Sequence, residues 1–138
     1  MKLRWAYLDR FADLGYLVMR VGVGALFTLH HGWPILFGGP DEWASTGRAV
    51  GYLSIHFGYA MWGFFSALIM VLGGIALALG SYFRPAALLL AITMAVAAIW
   101  KYYPFHDLDR AAYAIALFCV CLGFFFMGAG KLSLEEKM

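Results

Sequence analysis

Ionisable side chains stand in an apolar stretch near the start of the sequence, where a membrane would penalise their charge. Arg20 opens this stretch, residues 20–39, and His30 and His31 lie in its second half. An ionisable residue inside a membrane-spanning helix is costly and points to function by default. Arg20 and His31 are eleven residues apart. A helix therefore places them on one face, about 16 Å apart along its axis.

Two interpretations of this face are open. In the first, it points into a helix bundle, where Arg20 and His31 hydrogen-bond the carbonyls of a quinone while Phe27 and Trp33 stack on its ring. In the second, Arg20 extends to the water interface and His31 only hydrogen-bonds a neighbouring helix. Neither haem nor a metal ion is expected, because the other two histidines fall at loop edges without a metal-binding spacing.

The composition is that of a membrane protein. The chain has 138 residues, of which 64% are hydrophobic and 13% charged. An ordinary soluble domain is about 45–50% apolar and about 25% charged. The net charge of +2, with no basic run among aromatic residues, argues against nucleic acid as a partner. The lipid bilayer is the expected surrounding.

Uncharged stretches separated by glycine, proline and polar residues predict an all-α fold. A spanning helix needs roughly 20 apolar residues, and short connections make consecutive helices antiparallel neighbours. We predict one integral membrane domain, residues 1–138, folded as an antiparallel bundle of four transmembrane helices. The predicted helices are at about residues 14–38, 57–80, 83–103 and 110–130, with a surface loop at residues 40–56.

The distribution of lysine and arginine predicts the orientation, because cytoplasmic loops carry an excess of both. One side of the bundle would hold seven of these residues, namely Lys2, Arg4, Arg10, Arg20, Arg84, Lys131 and Lys137. The other side would hold three, namely Arg48, Lys101 and Arg110. Both termini are therefore expected in the cytoplasm, and the histidines toward the outer side.

Three segments, LHHGWPILFGG, LGGIALALGSYFRPAALLLA and GAGKLSLEE, together resemble the DoxX family. The resemblance rests on Arg20, the run His31–Gly32–Trp33–Pro34, the Gly73–Gly74 pair, Gly80, Arg84–Pro85 and the close from Gly128 to Leu134. Polar family positions are replaced at Ile35, Met70 and Ala112. The family consists of small bacterial and archaeal membrane proteins with four helices. The resemblance therefore implies a multi-pass protein of the prokaryotic cytoplasmic (inner) membrane.

The resemblance also implies links to electron transfer, and no flavin, haem or iron–sulfur motif is present in the sequence. The favoured hypothesis is a non-catalytic accessory subunit of a larger respiratory or photosynthetic electron-transfer complex, with other membrane subunits as partners. The alternative is a quinone-binding component of an oxidoreductase, such as one that passes electrons from sulfur compounds to quinone. A small transporter is the third hypothesis.

No catalytic or metal-ligating residue is predicted, and no cofactor of the chain's own. Bound quinone, lipid or pigment is expected only through partners. The candidate ligand-binding residues are Arg20, Phe27, His30, His31, Trp33 and Arg84.

Overall fold

The structure, a computed structural model, describes residues 6–137, and this part of the chain contains helices and turns but no β-strand. Four of its helices are long and apolar enough to cross a membrane. We call them the first to fourth spans, and they cover Ala12–Leu36, Tyr59–Leu79, Phe83–Tyr102 and Leu108–Met127. The predicted all-α bundle of four spans is confirmed. Lys2 and Arg4, which contributed to the predicted orientation, lie outside the described residues.

The ends of the spans fall within three residues of the predicted ones. Short helices occupy Ala6–Asp9, Pro40–Gly47 and Leu134–Lys137, and a 3₁₀ segment covers Arg48–Leu53. The segment predicted as a surface loop, residues 40–56, is thus mostly helical. Pro40 sits in the first turn, where its fixed φ suits a helix. Asp41 and Glu42 follow it, where negative charge favours the helix N-terminus.

Glycines let the first span approach the backbone of the second. A Cβ atom added at Gly24 would collide with the Gly74 carbonyl oxygen, and one at Gly32 would lie 2.8 Å from the Val71 nitrogen. Between these glycines, the Thr28 hydroxyl donates a hydrogen bond of 3.1 Å to the Val71 carbonyl. Small residues commonly permit such close packing between membrane helices.

The short helix Pro40–Gly47 continues this contact along the second span after the first span has ended. A Cβ atom at Gly47 would overlap the Tyr59 carbonyl, and one at Gly63 would overlap the carbonyl of Trp43. The Trp43 indole also donates a 3.1 Å hydrogen bond to the Leu36 carbonyl. The segment is therefore packed against the second span.

The first span is not a regular α-helix throughout. Leu26–Gly32 is π-helical, and the backbone N–H of Trp33 bonds to the Thr28 carbonyl, five residues back. Such turns inside α-helices often occur at functional sites. This π-helical segment contains both His30 and His31.

The core lies between the four spans. Its fully buried side chains come from every span and include Phe27, Leu77, Phe83, Leu90, Cys121 and Phe124. Phe83 and Phe124 meet edge to face, with ring centroids 5.5 Å apart. This apolar centre separates two polar regions at opposite ends of the bundle.

Candidate functional site

The first polar region, which we call the terminal end, is where the first span meets the chain after the fourth span. Arg20 is its centre and is 1% exposed. Its Nη1 donates a hydrogen bond of 2.9 Å to the Ala129 carbonyl, and its Nη2 donates to the Leu132 carbonyl. The guanidinium carbon lies 5.9 Å from the Phe83 ring centroid. Arg20 thus points inward rather than extending to a water interface.

Further hydrogen bonds hold the same C-terminal segment. The Tyr16 hydroxyl donates to the Gly128 carbonyl, and the Ser133 hydroxyl donates a 2.8 Å bond to the Gly130 carbonyl. The Glu135 N–H reaches back to the Gly80 carbonyl at 3.0 Å. Gly128 and Gly130 have φ values of 81° and 83°, a region that other residues rarely adopt. The segment is folded into one turn around the Arg20 side chain.

Backbone carbonyls, rather than a carboxylate, balance the buried Arg20 charge. Among the described residues, Arg20 has no acidic partner within ion-pair distance. Its acceptors lie just beyond the end of the fourth span, where the negative end of the helix dipole favours a cation. Its Nε is buried without a partner. This arrangement is a structural clamp, and Arg20 does not line the surface cavity of about 610 Å³ that lies beside the same turn.

Arg84 lies at the same end but on the surface, where it is exposed. A Cβ atom added at Gly128 would come within 3.3 Å of its Nη2, so its guanidinium packs against the turn that Arg20 holds. Arg84 is therefore far from the histidines, and the two predicted arginines belong to the terminal end.

The second polar region, the cavity end, is centred on His31. Its ring stacks on Tyr113 of the fourth span, with centroids 5.5 Å apart and planes 9° from parallel. His31 Nδ1 lies 3.2 Å from the Leu26 carbonyl, five residues back, as the π-helical turn allows. A carbonyl can only accept, so Nδ1 carries the hydrogen and, in the neutral ring, Nε2 is left as an acceptor.

A cavity of about 470 Å³ opens beside His31. All four spans and the segment after the first span contribute to its walls. Most of the lining is apolar or aromatic and includes Met70, Met94, Trp100 and Tyr113. Glu42, Ser66 and Lys101 supply polar groups. A mostly apolar cavity with a few polar groups is typical of small-molecule sites.

Trp62 also lines this cavity, and its indole Nε1–H is buried without an acceptor. An unpaired buried donor costs about 1–3 kcal/mol. A ligand oxygen or a water that reached Nε1 after a small rotation of the ring would recover that energy. The indole is therefore a hydrogen-bonding group that the surrounding protein leaves unused.

The other candidates of the first span have different positions. Phe27 is fully buried, and its ring centroid lies 5.9 Å from that of His31, so it closes the core side of the site. His30 is exposed and touches His31 edge to face at 5.2 Å. Trp33 is 51% exposed and packs on Phe37 instead of reaching the cavity.

The predicted common face of Arg20 and His31 is divided between two sites. Both side chains meet the fourth span or the chain after it, but Arg20 contacts Ala129 and Leu132, whereas His31 contacts Tyr113. Phe27 lies between them in the core. A single ligand held by both side chains, as the sequence suggested for a quinone, is inconsistent with these contacts.

Sequence reasoning missed Trp62 and Tyr113 as parts of the site. Both stand near the start of a span, where an aromatic residue ordinarily signals a membrane interface, so their types gave no reason to separate them from the other aromatics. Within residues 6–137 no group of three or more His, Cys, Asp or Glu side chains is close enough to hold a metal ion.

Of the comparisons with known proteins, the one with protein-family models gives a match. No curated protein and no solved structure matches the chain. The model of the DoxX family matches residues 15–103, a range that includes Arg20, His31 and Arg84 and stops before the fourth span. Because this match covers more than half of the sequence, and because the four spans form a membrane bundle, the chain belongs to the DoxX family of membrane proteins.

Proposed function

We propose that this DoxX-family membrane protein binds a quinone in the cavity beside His31 and serves as the quinone-binding component of a membrane electron-transfer system. The observation that carries the proposal is the cavity itself. It is lined by residues of all four spans and has a stacked histidine in its wall. Ligand cavities are ordinarily about 300–1,000 Å³, and this one, at about 470 Å³, lies inside that range.

The lining suits a ring that is flat, apolar and polar only at its edges. Trp62, Trp100 and Tyr113 offer faces and edges for aromatic contact, and Met70 and Met94 can adapt to an irregular shape. Quinone carbonyls can accept hydrogen bonds from the Trp62 indole, and a quinol hydroxyl can donate to His31 Nε2. The site thus offers one partner for each redox form of the ring.

In this proposal the electrons come from a partner, because the sequence contains no flavin, haem or iron–sulfur motif. The hypothesis favoured by sequence, a non-catalytic accessory subunit of a respiratory or photosynthetic complex, is therefore compatible with quinone binding. A purely structural subunit is the competing function. The observation that favours it is the Arg20 clamp, in which the arginine hydrogen-bonds the C-terminal segment of the chain and is not available to a ligand.

The test is equilibrium binding of a benzoquinone without a hydrocarbon chain to the protein purified in mild detergent. We expect saturable binding and a loss of about tenfold in affinity for His31→Ala, equivalent to about 1.4 kcal/mol. His30→Ala is the matched control, because His30 is the adjacent histidine and is exposed. Its affinity should equal that of the unchanged protein.

Two outcomes would contradict quinone binding here. One is the absence of saturable binding to the unchanged protein, and the other is equal affinity of the His31→Ala and unchanged proteins. Native mass spectrometry of the same preparation separates the competing functions. Stoichiometric association with a large complex, without bound quinone, would assign the protein as a structural subunit.

A further inference from the structure

An apolar groove runs along the surface of the bundle between the second and third spans. Toward the terminal end it forms a hollow of about 280 Å³, and toward the other end it reaches residues that line the cavity beside His31. Ile69 lines both spaces. The two spaces are therefore adjacent along the second and third spans, and the lining of the hollow is apolar apart from Tyr82.

The groove follows one helical face of each span. Phe65, Ile69 and Leu72 line it from the second span, and Leu89, Ile92 and Val96 line it from the third. On each span these residues recur at intervals of three and four, which places them on one stripe. Leu72 and Leu89 line the hollow together, and Ile69 and Ile92 line the cavity together.

The groove is open toward lipid and closed toward the core. Its flanks are exposed, since Phe65, Leu72 and Ile92 have exposed fractions of 49%, 57% and 53%. Its floor is the contact of Gly73 with Leu90, where a Cβ atom on the glycine would lie 3.0 Å from Leu90 Cγ. The polar Thr93 side chain beside the groove is already used, because its hydroxyl donates a 2.9 Å bond to the Leu89 carbonyl.

We propose that this groove holds the hydrocarbon chain of the ligand whose ring occupies the cavity, and that the ligand enters sideways from the bilayer between the second and third spans. The inference rests on the proposed function and specifies its ligand as a membrane quinone with a long apolar chain. From Ile69, which lines both spaces, to Ala76 the groove is about 10 Å long, at 1.5 Å per residue. A chain lying there keeps the ring at the depth of Ile69 and His31.

The experiment uses a quinone with a photoreactive diazirine near the end of its chain, added to the protein in lipid nanodiscs. We expect adducts on the parts of the second and third spans that contain Leu72, Ala76 and Leu89. Excess unreactive long-chain quinone should remove these adducts. Ala76→Leu places extra atoms in the groove and leaves the cavity unchanged, so it should abolish this labelling. Ala116→Leu, the same change on an exposed site of the fourth span, should leave it intact.

The outcomes separate this inference from the proposed function. If the quinone without a chain binds as expected but adducts spread over every lipid-facing span, the groove inference is wrong and the ring site stands. Adducts in the groove that excess quinone does not remove would identify a phospholipid site and overturn the inference. Absence of binding by either quinone would overturn the proposed function itself.

Discussion

Each end of the bundle holds an ionisable residue of the first span, Arg20 buried and His31 only partly buried, and the two residues make different contacts. At the terminal end, Arg20 is surrounded by protein and donates to two backbone carbonyls. At the cavity end, His31 Nδ1 hydrogen-bonds the Leu26 carbonyl, and the ring lines an open cavity to which Nε2 is available. The difference indicates that Arg20 serves the fold and that His31 is available to a ligand.

The comparison also explains why burial of a charge is a poor guide to function by itself. A buried group whose hydrogen bonds are nearly all made by the protein has little capacity left for a ligand. A partly buried group beside a cavity retains that capacity. Changes at the terminal end should therefore alter stability more than binding, and changes at the cavity end should do the opposite.

Arg20→Leu is the strongest test of the structural role. The variant leaves the Ala129 and Leu132 carbonyls without their charged donor, and each such hydrogen bond is worth about 1.5–3 kcal/mol. We expect the free energy of unfolding to fall by about 3 kcal/mol or more, measured by circular dichroism during denaturation in mild detergent. Any variant protein that remains folded should still bind the quinone without a chain.

Arg84→Leu is the matched control for that variant, since Arg84 lies at the same end but is exposed. Its unfolding free energy should change by less than about 1 kcal/mol. Equal stability of the Arg20→Leu and unchanged proteins would show that the clamp does not hold the fold.

Gly63→Ala should weaken the packing that forms one side of the cavity. The added methyl group would overlap the Trp43 carbonyl, so the helix Pro40–Gly47 must move away from the second span. We expect a loss of about 1–3 kcal/mol in unfolding free energy, as for other overpacked sites. The control is Gly22→Ala, where nothing lies within 4 Å of the added atom. That control should be neutral or slightly stabilising, because alanine favours a helix.

Most of the fold could be predicted from the sequence, since long apolar runs ended by glycine and proline define spans to within a few residues. The helix Pro40–Gly47 was also signalled, by Pro40 in its first turn and by Asp41 and Glu42 after it. We nevertheless predicted a surface loop at residues 40–56. What the sequence could not indicate is that Gly47 and Gly63 bring this helix against the second span, because close approach depends on both partners at once.

The candidate site was only partly predictable, because the groups that Arg20 contacts and the π-helical turn leave no mark in the residue types. Arg20 is paired with main-chain carbonyls, which every residue possesses, so nothing in the sequence of the C-terminal segment identifies them as acceptors. The π-helical turn at Leu26–Gly32 requires no particular residue type. A projection based on 3.6 residues per turn therefore joined Arg20 and His31 into one site. His31 itself was found because an ionisable residue in an apolar span is visible in any sequence.

Tyr113→Leu should weaken ligand binding at the cavity end and lower the free energy of unfolding by about 1 kcal/mol. It removes the ring that stacks on His31, and such aromatic pairs are worth about 0.5–1.5 kcal/mol beyond the area they bury. We expect the affinity for the quinone without a chain to fall by up to about tenfold. Tyr82→Leu is the control, because Tyr82 is a highly exposed tyrosine at the other end of the bundle and outside this cavity. Equal losses in both variants would contradict a specific role for the stack.

Trp62→Phe should have the smallest effect on affinity, and it tests one particular hydrogen bond to the ligand. Phenylalanine keeps an aromatic ring in the cavity wall but removes the N–H that has no acceptor in the protein. Without ligand, the variant should be as stable as the unchanged protein or slightly more so, because the cost of burying an unpaired donor disappears. With quinone, the affinity should fall by about fivefold, equivalent to about 1 kcal/mol for one hydrogen bond. Opposite signs for stability and binding are expected only if the ligand supplies the missing acceptor. An unchanged affinity would place the quinone oxygens elsewhere and leave His31 as the polar contact to examine.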